Sequence, residues 1–84
     1  MDKEKLAKTI LEQVGGKENV ENLVHCVTRL RFTLKDESKA QTDFLSKQEG
    51  VASVIASKDS NDNQYQVVVG TLTNDIYDSI KSAL

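Results

Sequence analysis

The sequence predicts an α+β domain: a two-layer sandwich in which a four-stranded, largely antiparallel sheet carries three helices on one face, in the order α-β-β-α-β-β-α. Three observations predict it. Leu30, Phe32 and Leu34 alternate strictly with Arg29, Arg31, Thr33 and Lys35, the period of a half-buried strand. Two end segments carry apolar residues at helical spacing, and two further strand-length apolar runs flank a polar cluster. Amphipathic helices and strands in this order bury their apolar faces most simply as two layers, with the second face of the sheet left open to solvent.

Taken in order, Leu6, Ile10, Leu11 and Val14 form the stripe of a first helix, which Asp2 is placed to cap and Gly15-Gly16 to end. Leu23-Val24 then leads into the alternating strand. The interval from Val24 to Phe32 is too short for a helical crossover, so the two strands are expected to pair as an antiparallel hairpin. With Leu30, Phe32 and Leu34 facing the core, both arginines point to the other side of the sheet. Ser38 to Gln41 has capping-box spacing, ahead of a short helix with Ala40, Phe44 and Leu45 on its apolar side. Val51 to Ala56 and Tyr65 to Val69 read as a second hairpin around a loop at Ser57 to Asn63. A last helix, capped by Thr73, aligns Ile76, Tyr77, Ile80 and Leu84, with Leu72 placed to staple onto Tyr77.

Eighty-four residues allow one hydrophobic core, so the whole chain, 1–84, is expected to be a single domain, cut tightly enough to suit a module of a longer polypeptide. Eleven basic against thirteen acidic residues give a formal charge of -2, which argues against nucleic acid as the primary partner. No apolar run approaches the roughly 18 residues of a membrane span, so the domain itself is not expected to insert. The charged, periodic N-terminus lacks the apolar core of a secretory signal, and a reducing, cytoplasmic setting is expected. One cysteine and one histidine build neither an internal disulfide nor a Cys/His zinc site. No nucleotide-binding glycine loop or dinucleotide fingerprint is present, and no cofactor or metal is expected.

The chemistry concentrates in His25-Cys26-Val27-Thr28-Arg29-Leu30-Arg31-Phe32. Neighbouring cations favour a thiolate, the nucleophilic form, so Arg29 and Arg31 are expected to depress the pKa of Cys26. The same guanidinium forks match the oxygens of an oxyanion, with Thr28 and the N–H groups of the turn as further donors. A thiolate inside such a nest is suited to accept a phosphoryl group, a transfer that depends on positioning and charge neutralisation. Each residue also has a plainer reading: cysteine as a small buried hydrophobe, alternating arginines as a solvated face, His25 as a spectator. Residue chemistry alone leaves Cys26 open between a reactive and a structural thiol.

HCVTRLRF at 25–32, LKDESKAQ at 34–41 and QYQVVVG at 64–70 resemble the enzyme IIB domain of the bacterial phosphoenolpyruvate-dependent sugar phosphotransferase system. The glucose and glucoside branch fits, β-glucoside-type members by eye most of all, and the likeness runs nearly end to end. The resemblance implies the same split α/β fold and a phosphotransferase activity within a multi-domain system. It implies that Cys26 accepts a phosphoryl group from a phosphohistidine of enzyme IIA and passes it to a sugar held by the membrane-embedded enzyme IIC. Arg29 and Arg31 would then steady the phosphorylated sulfur, with Thr28 as a supporting donor and His25 as an accessory of open role. The domain would work at the cytoplasmic face of the bacterial inner membrane as part of a permease.

Two departures stand out. Lys58 to Asn63 replaces the short Gly-Gly turn of many relatives, and Gln48-Glu49 stands where a proline often precedes the glycine matching Gly50. Two other classes of function remain in view: a thiol redox sensor, for which the chain holds no resolving cysteine, and a non-catalytic interaction module.

Overall fold

A computed structural model describes residues 2–84. Three helices and four strands follow the expected order: α1 (Lys3–Gln13), β1 (Val20–His25), β2 (Arg29–Leu34), α2 (Thr42–Ser46), β3 (Ser53–Ile55), β4 (Tyr65–Val68) and α3 (Thr73–Ala83). The sheet order is β1-β2-β4-β3, and every pairing is antiparallel. The two hairpins thus lie side by side, joined through β2 and β4.

The Asp2 carboxylate caps α1, accepting from the backbone N–H groups of Glu4 at 3.0 Å and Lys5 at 3.1 Å. The helix stops where Gly15 and Gly16 take φ of 112° and 83°, and the Gly16 N–H returns to the Leu11 carbonyl at 2.9 Å. At Gly15 a side chain would also collide, since an added Cβ would lie 2.9 Å from the Asn19 Cβ. That close approach seats Asn19, which is buried and bonds in three directions. Its Nδ2 donates to the carbonyls of Val14 at 2.8 Å and Asp36 at 2.9 Å, and its Oδ1 accepts from the Asp36 N–H at 2.9 Å. One side chain therefore ties the end of α1 to the exit of β2.

The register Leu23↔Phe32, Leu30↔Val67 and Phe32↔Tyr65 puts these side chains on one face. There they form a single core with Leu6, Ala7, Ile10 and Val14 of the first helical segment, Leu45 of α2, and Ile76 and Ile80 of α3. Pairing of Arg31 with Val24 and Gln66 places all three on the opposite face, as the alternation in β2 requires.

Several boundaries differ from the sequence expectation. Ser38 caps nothing: it lies in a 3-10 turn, Glu37–Lys39, whose own cap is Asp36, and α2 begins only at Thr42. Leu45 is fully buried but Phe44 is 48% exposed, because five residues give one turn of helix and only one side of it meets the core. Thr42 instead anchors α2 by a 2.8 Å hydrogen bond between its Oγ1 and the buried Tyr65 hydroxyl. The strand expected at Val51 to Ala56 is regular only over Ser53–Ile55. Thr73 is the first residue of α3 rather than its cap, and its hydroxyl donates back to the Gly70 carbonyl at 2.7 Å. Leu84 lies past the last turn and is exposed. The face opposite the helices is not wholly open, since residues 59–62 fold back toward Arg29, Arg31, Ile55 and Gln66.

Candidate functional site

Cys26, Val27 and Thr28 form the connection between β1 and β2, which the Cys26 N–H closes on the Arg29 carbonyl at 3.0 Å. This turn is not a free loop. The Thr28 carbonyl accepts from the N–H groups of Val69 at 3.0 Å and Gly70 at 2.8 Å, so the end of β4 holds it in place. Val27 at the tip is 87% exposed and Cys26 is half-buried, which leaves the thiol within reach of solvent.

The turn itself makes the sulfur acidic. The Thr28 backbone N–H does most to hold the Cys26 thiol below its ordinary pKa, against the opposing effect of partial burial. The Arg29 backbone N–H, the charge of Arg31 and the Thr28 hydroxyl add to the lowering. Two successive backbone donors converging on one sulfur form an anion nest. The sequence reading assigned this effect to both guanidinium groups. In the structure Arg29 acts on the sulfur through its main chain, and Arg31 is the residue whose side-chain charge is felt there.

Both arginines project onto the face away from the helices, as expected, but each has a partner. Arg29 Nη1 donates to Gln66 Oε1 at 2.7 Å. Arg31 Nη1 meets Asp62 Oδ2 at 3.2 Å, while its Nε is buried without an acceptor. Gln66 and Asp62 were not singled out in the sequence, where residues 57–63 read as a plain loop. The pairing of Gln66 with Arg31 across β2 and β4 could have been inferred only with the strand order known.

His25 ends β1 beside the turn, with its ring exposed. Its Nδ1 lies 3.0 Å from the Cys26 carbonyl oxygen, and the ring packs against Tyr77 of α3. No group of three or more His, Cys, Asp or Glu residues that could hold a metal exists among the described residues, and no helix there is long and apolar enough to cross a membrane.

Residues 8–41, which run from α1 through β2 and contain the whole Cys26 turn, match the family model described as phosphotransferase system, EIIB. The β-glucoside-specific EIIBCA component of Halalkalibacterium halodurans is 51% identical over 80 residues, covering 95% of this chain. The chain belongs to the EIIB family of the phosphotransferase system. A second EIIB relative, the sucrose-specific EIIBC component of Bacillus subtilis, is 40% identical over 94% of the chain. The chain spans 12% of the first relative's length and 16% of the second's, so those proteins are far larger than this domain. Among solved structures, one domain of the IIabc component of the system from Clostridium difficile superposes with a TM-score of 0.82 at 27% identity, over 95% of this chain and 80% of that one. The resemblance first noted in HCVTRLRF is therefore a true family relationship, and the EIIB fold is the one described above.

Proposed function

We propose that this EIIB domain is a phosphoryl carrier in sugar uptake, and that Cys26 is the residue that carries the group. The observation that supports it most directly is the Cys26 sulfur in the Thr28–Arg29 nest: acidic, reachable, and on a turn that β4 holds still. The Cys26 thiolate would attack the phosphorus of a phosphohistidine on an enzyme IIA partner. The S–P bond forms as the N–P bond breaks, and the freed imidazole takes a proton from solvent. In the second transfer a sugar hydroxyl, giving its proton to solvent or to a base of the enzyme IIC partner, would attack the same phosphorus as the S–P bond breaks and the thiolate leaves.

The nest that stabilises the thiolate also stabilises it as a leaving group, so one arrangement serves both directions of S–P chemistry. Thr28 and Arg31 are placed to meet the phosphoryl oxygens, and Arg29 would join them by exchanging its bond to Gln66. The acceptor would be a sugar held by a membrane enzyme IIC. The EIIBCA and EIIBC names of the relatives join B with C, and in some with A, in one component, which supports both partners; with a membrane enzyme IIC holding the acceptor, the domain would work at the cytoplasmic face.

The test is incubation of the domain with phosphoenolpyruvate, the general phosphotransfer proteins and a cognate enzyme IIA, followed by mass spectrometry. One added phosphate on Cys26, lost in Cys26→Ser, is expected. Phosphate on His25, or undiminished phosphorylation of Cys26→Ser, would overturn the assignment.

A further inference from the structure

The loop between β3 and β4 carries a carboxylate that reaches the arginine of the thiol site, and its two oxygens have separate partners. Asp62 Oδ1 accepts from Gln64 N–H at 3.1 Å, Ser60 Oγ at 3.1 Å and Gln66 Nε2 at 3.0 Å. Gln66 Nε2 is the undivided donor of the three, since the Ser60 hydroxyl is shared with the Ser57 carbonyl and the Gln64 N–H with Ser60 Oγ; together they anchor the carboxylate within the loop. Oδ2 is left for Arg31 Nη1 at 3.2 Å. Gln66 is itself 5% exposed and accepts at Oε1 from Arg29 Nη1, so the network joins both arginines of the site to one loop.

Asp62 is held by its own loop and by β4, independently of Arg31, whereas Arg31 has no side-chain partner other than Asp62 among the described residues. Its guanidinium has five N–H donors. The Nε donor finds no acceptor, and the pair with Asp62 is about one-third exposed, at 37% and 28% for the two side chains. Arg31 has a spare donor and pairs with the Asp62 carboxylate, and its charge also favours the Cys26 thiolate, so one guanidinium is shared between two anions.

We propose that Asp62 is a positioning residue of the thiol site: its fixed carboxylate draws the Arg31 guanidinium across the open face and competes with the anion on Cys26 for that charge. The phosphoryl-carrier reading supplies the identity of the stronger competitor. A phosphoryl dianion on Cys26 brings more charge and more acceptor oxygens than a thiolate, and the guanidinium moves toward it from Asp62. The competition with the thiolate exists without any phosphoryl donor, so its failure and the failure of the carrier reading are distinguishable.

The experiment is the pH dependence of Cys26 alkylation by iodoacetamide in the 84-residue chain, with Asp62→Asn, Asp62→Glu, Arg31→Gln and the double variant Arg31→Gln/Asp62→Asn. Asp62→Asn keeps an oxygen for the loop donors and removes the charge. Its midpoint is expected to fall by about half a pH unit, equivalent to about threefold more thiolate at a fixed pH well below the midpoint. Asp62→Glu keeps the charge and stays closer to the parent chain than Asp62→Asn. In the Arg31→Gln background the Asp62→Asn shift shrinks to less than half, because Asp62 acts through Arg31.

An unmoved midpoint in Asp62→Asn, or an equal shift in both backgrounds, overturns the proposal. Should Asp62→Asn fail to fold, side-chain nitrogen NMR of the parent chain decides. An Arg31 guanidinium that rotates as freely as one in an unfolded peptide refutes the pairing, a restricted one whose side-chain signals shift as Cys26 ionises supports the proposal, and a restricted one indifferent to Cys26 ionisation overturns it.

Discussion

The His25 ring packs against the Tyr77 ring of α3 with centroids 4.3 Å apart and planes tilted by 54°. A carbonyl oxygen only accepts, so the 3.0 Å contact between His25 Nδ1 and the Cys26 carbonyl assigns the proton to Nδ1. The histidine is thereby fixed from two directions, by the last helix and by the turn it precedes. Lys81 lies 5.8 Å from the Tyr77 centroid and extends the stack along α3.

This contact predicts a coupling between turn and helix. Tyr77→Leu keeps apolar bulk against the core but loses the aromatic partner of His25. A double-mutant cycle with His25→Ala, read from urea unfolding, is expected to return about 0.5–1.5 kcal/mol of interaction energy. Strict additivity of the two substitutions would show that the rings touch without holding the turn.

Asn19 staples the end of α1 to the exit of β2 with three hydrogen bonds. Asn19→Ala leaves the buried Val14 carbonyl and the part-buried backbone N–H and carbonyl of Asp36 without their partners. A loss of about 2–3 kcal/mol is expected, seen as a lower urea midpoint at unchanged slope. Loss below about 0.5 kcal/mol would mean that water replaces the side chain without penalty.

The layer order, both hairpins, the two faces of β2 and the Cys26 turn were legible because each rests on a local signal: period two in β2, helical stripes in α1 and α3, and a thiol beside turn donors. What escaped the sequence reading depends on contacts between distant segments. Asn19 looks like any loop asparagine until α1 and the exit of β2 are brought together around it. Asp62 looks like one of several loop polar residues until β4 is laid beside β2 and Gln66 faces Arg31. Ser38 and Thr73 failed as caps for a related reason. Hydroxyls at capping spacing also suit 3-10 turns, and the backbone chose Asp36 for the first and a 3-10 turn at Gly70–Leu72 before the second. The backbone donors of Thr28 and Arg29 outrank the guanidinium of Arg31 at the sulfur, an ordering that residue names cannot carry because every residue has an N–H.

Thr73 supplies a direct check on that reassignment. It is 1% exposed and donates to the Gly70 carbonyl at 2.7 Å. Thr73→Val preserves shape and removes the donor, and is expected to cost about 1 kcal/mol in urea unfolding. Thr73→Ser keeps the donor and gives up a buried methyl, so it too is destabilising, by about 1 kcal/mol. A neutral Thr73→Val would show that the hydrogen bond contributes nothing net.

The thiol's acidity gives a prediction with a definite sign. The folded pKa of Cys26 lies below the unfolded one, so thiolate formation favours the folded state. That contribution is complete above the unfolded thiol pKa and disappears as pH falls through the lower folded value. Stability is therefore expected to rise with pH across that interval, and to rise less in Cys26→Ser. Alkylation should report the same ordering: a midpoint below that of the urea-unfolded chain, raised by Arg31→Gln, and raised less by Arg29→Gln, since Arg29 acts on the sulfur through a backbone N–H that the substitution retains. Equal shifts from the two arginine variants would mean that the side chains share the sulfur equally and that the turn's own amides are not the main source of its acidity. A midpoint no lower in the folded than in the unfolded chain would remove the physical basis for a nucleophilic Cys26.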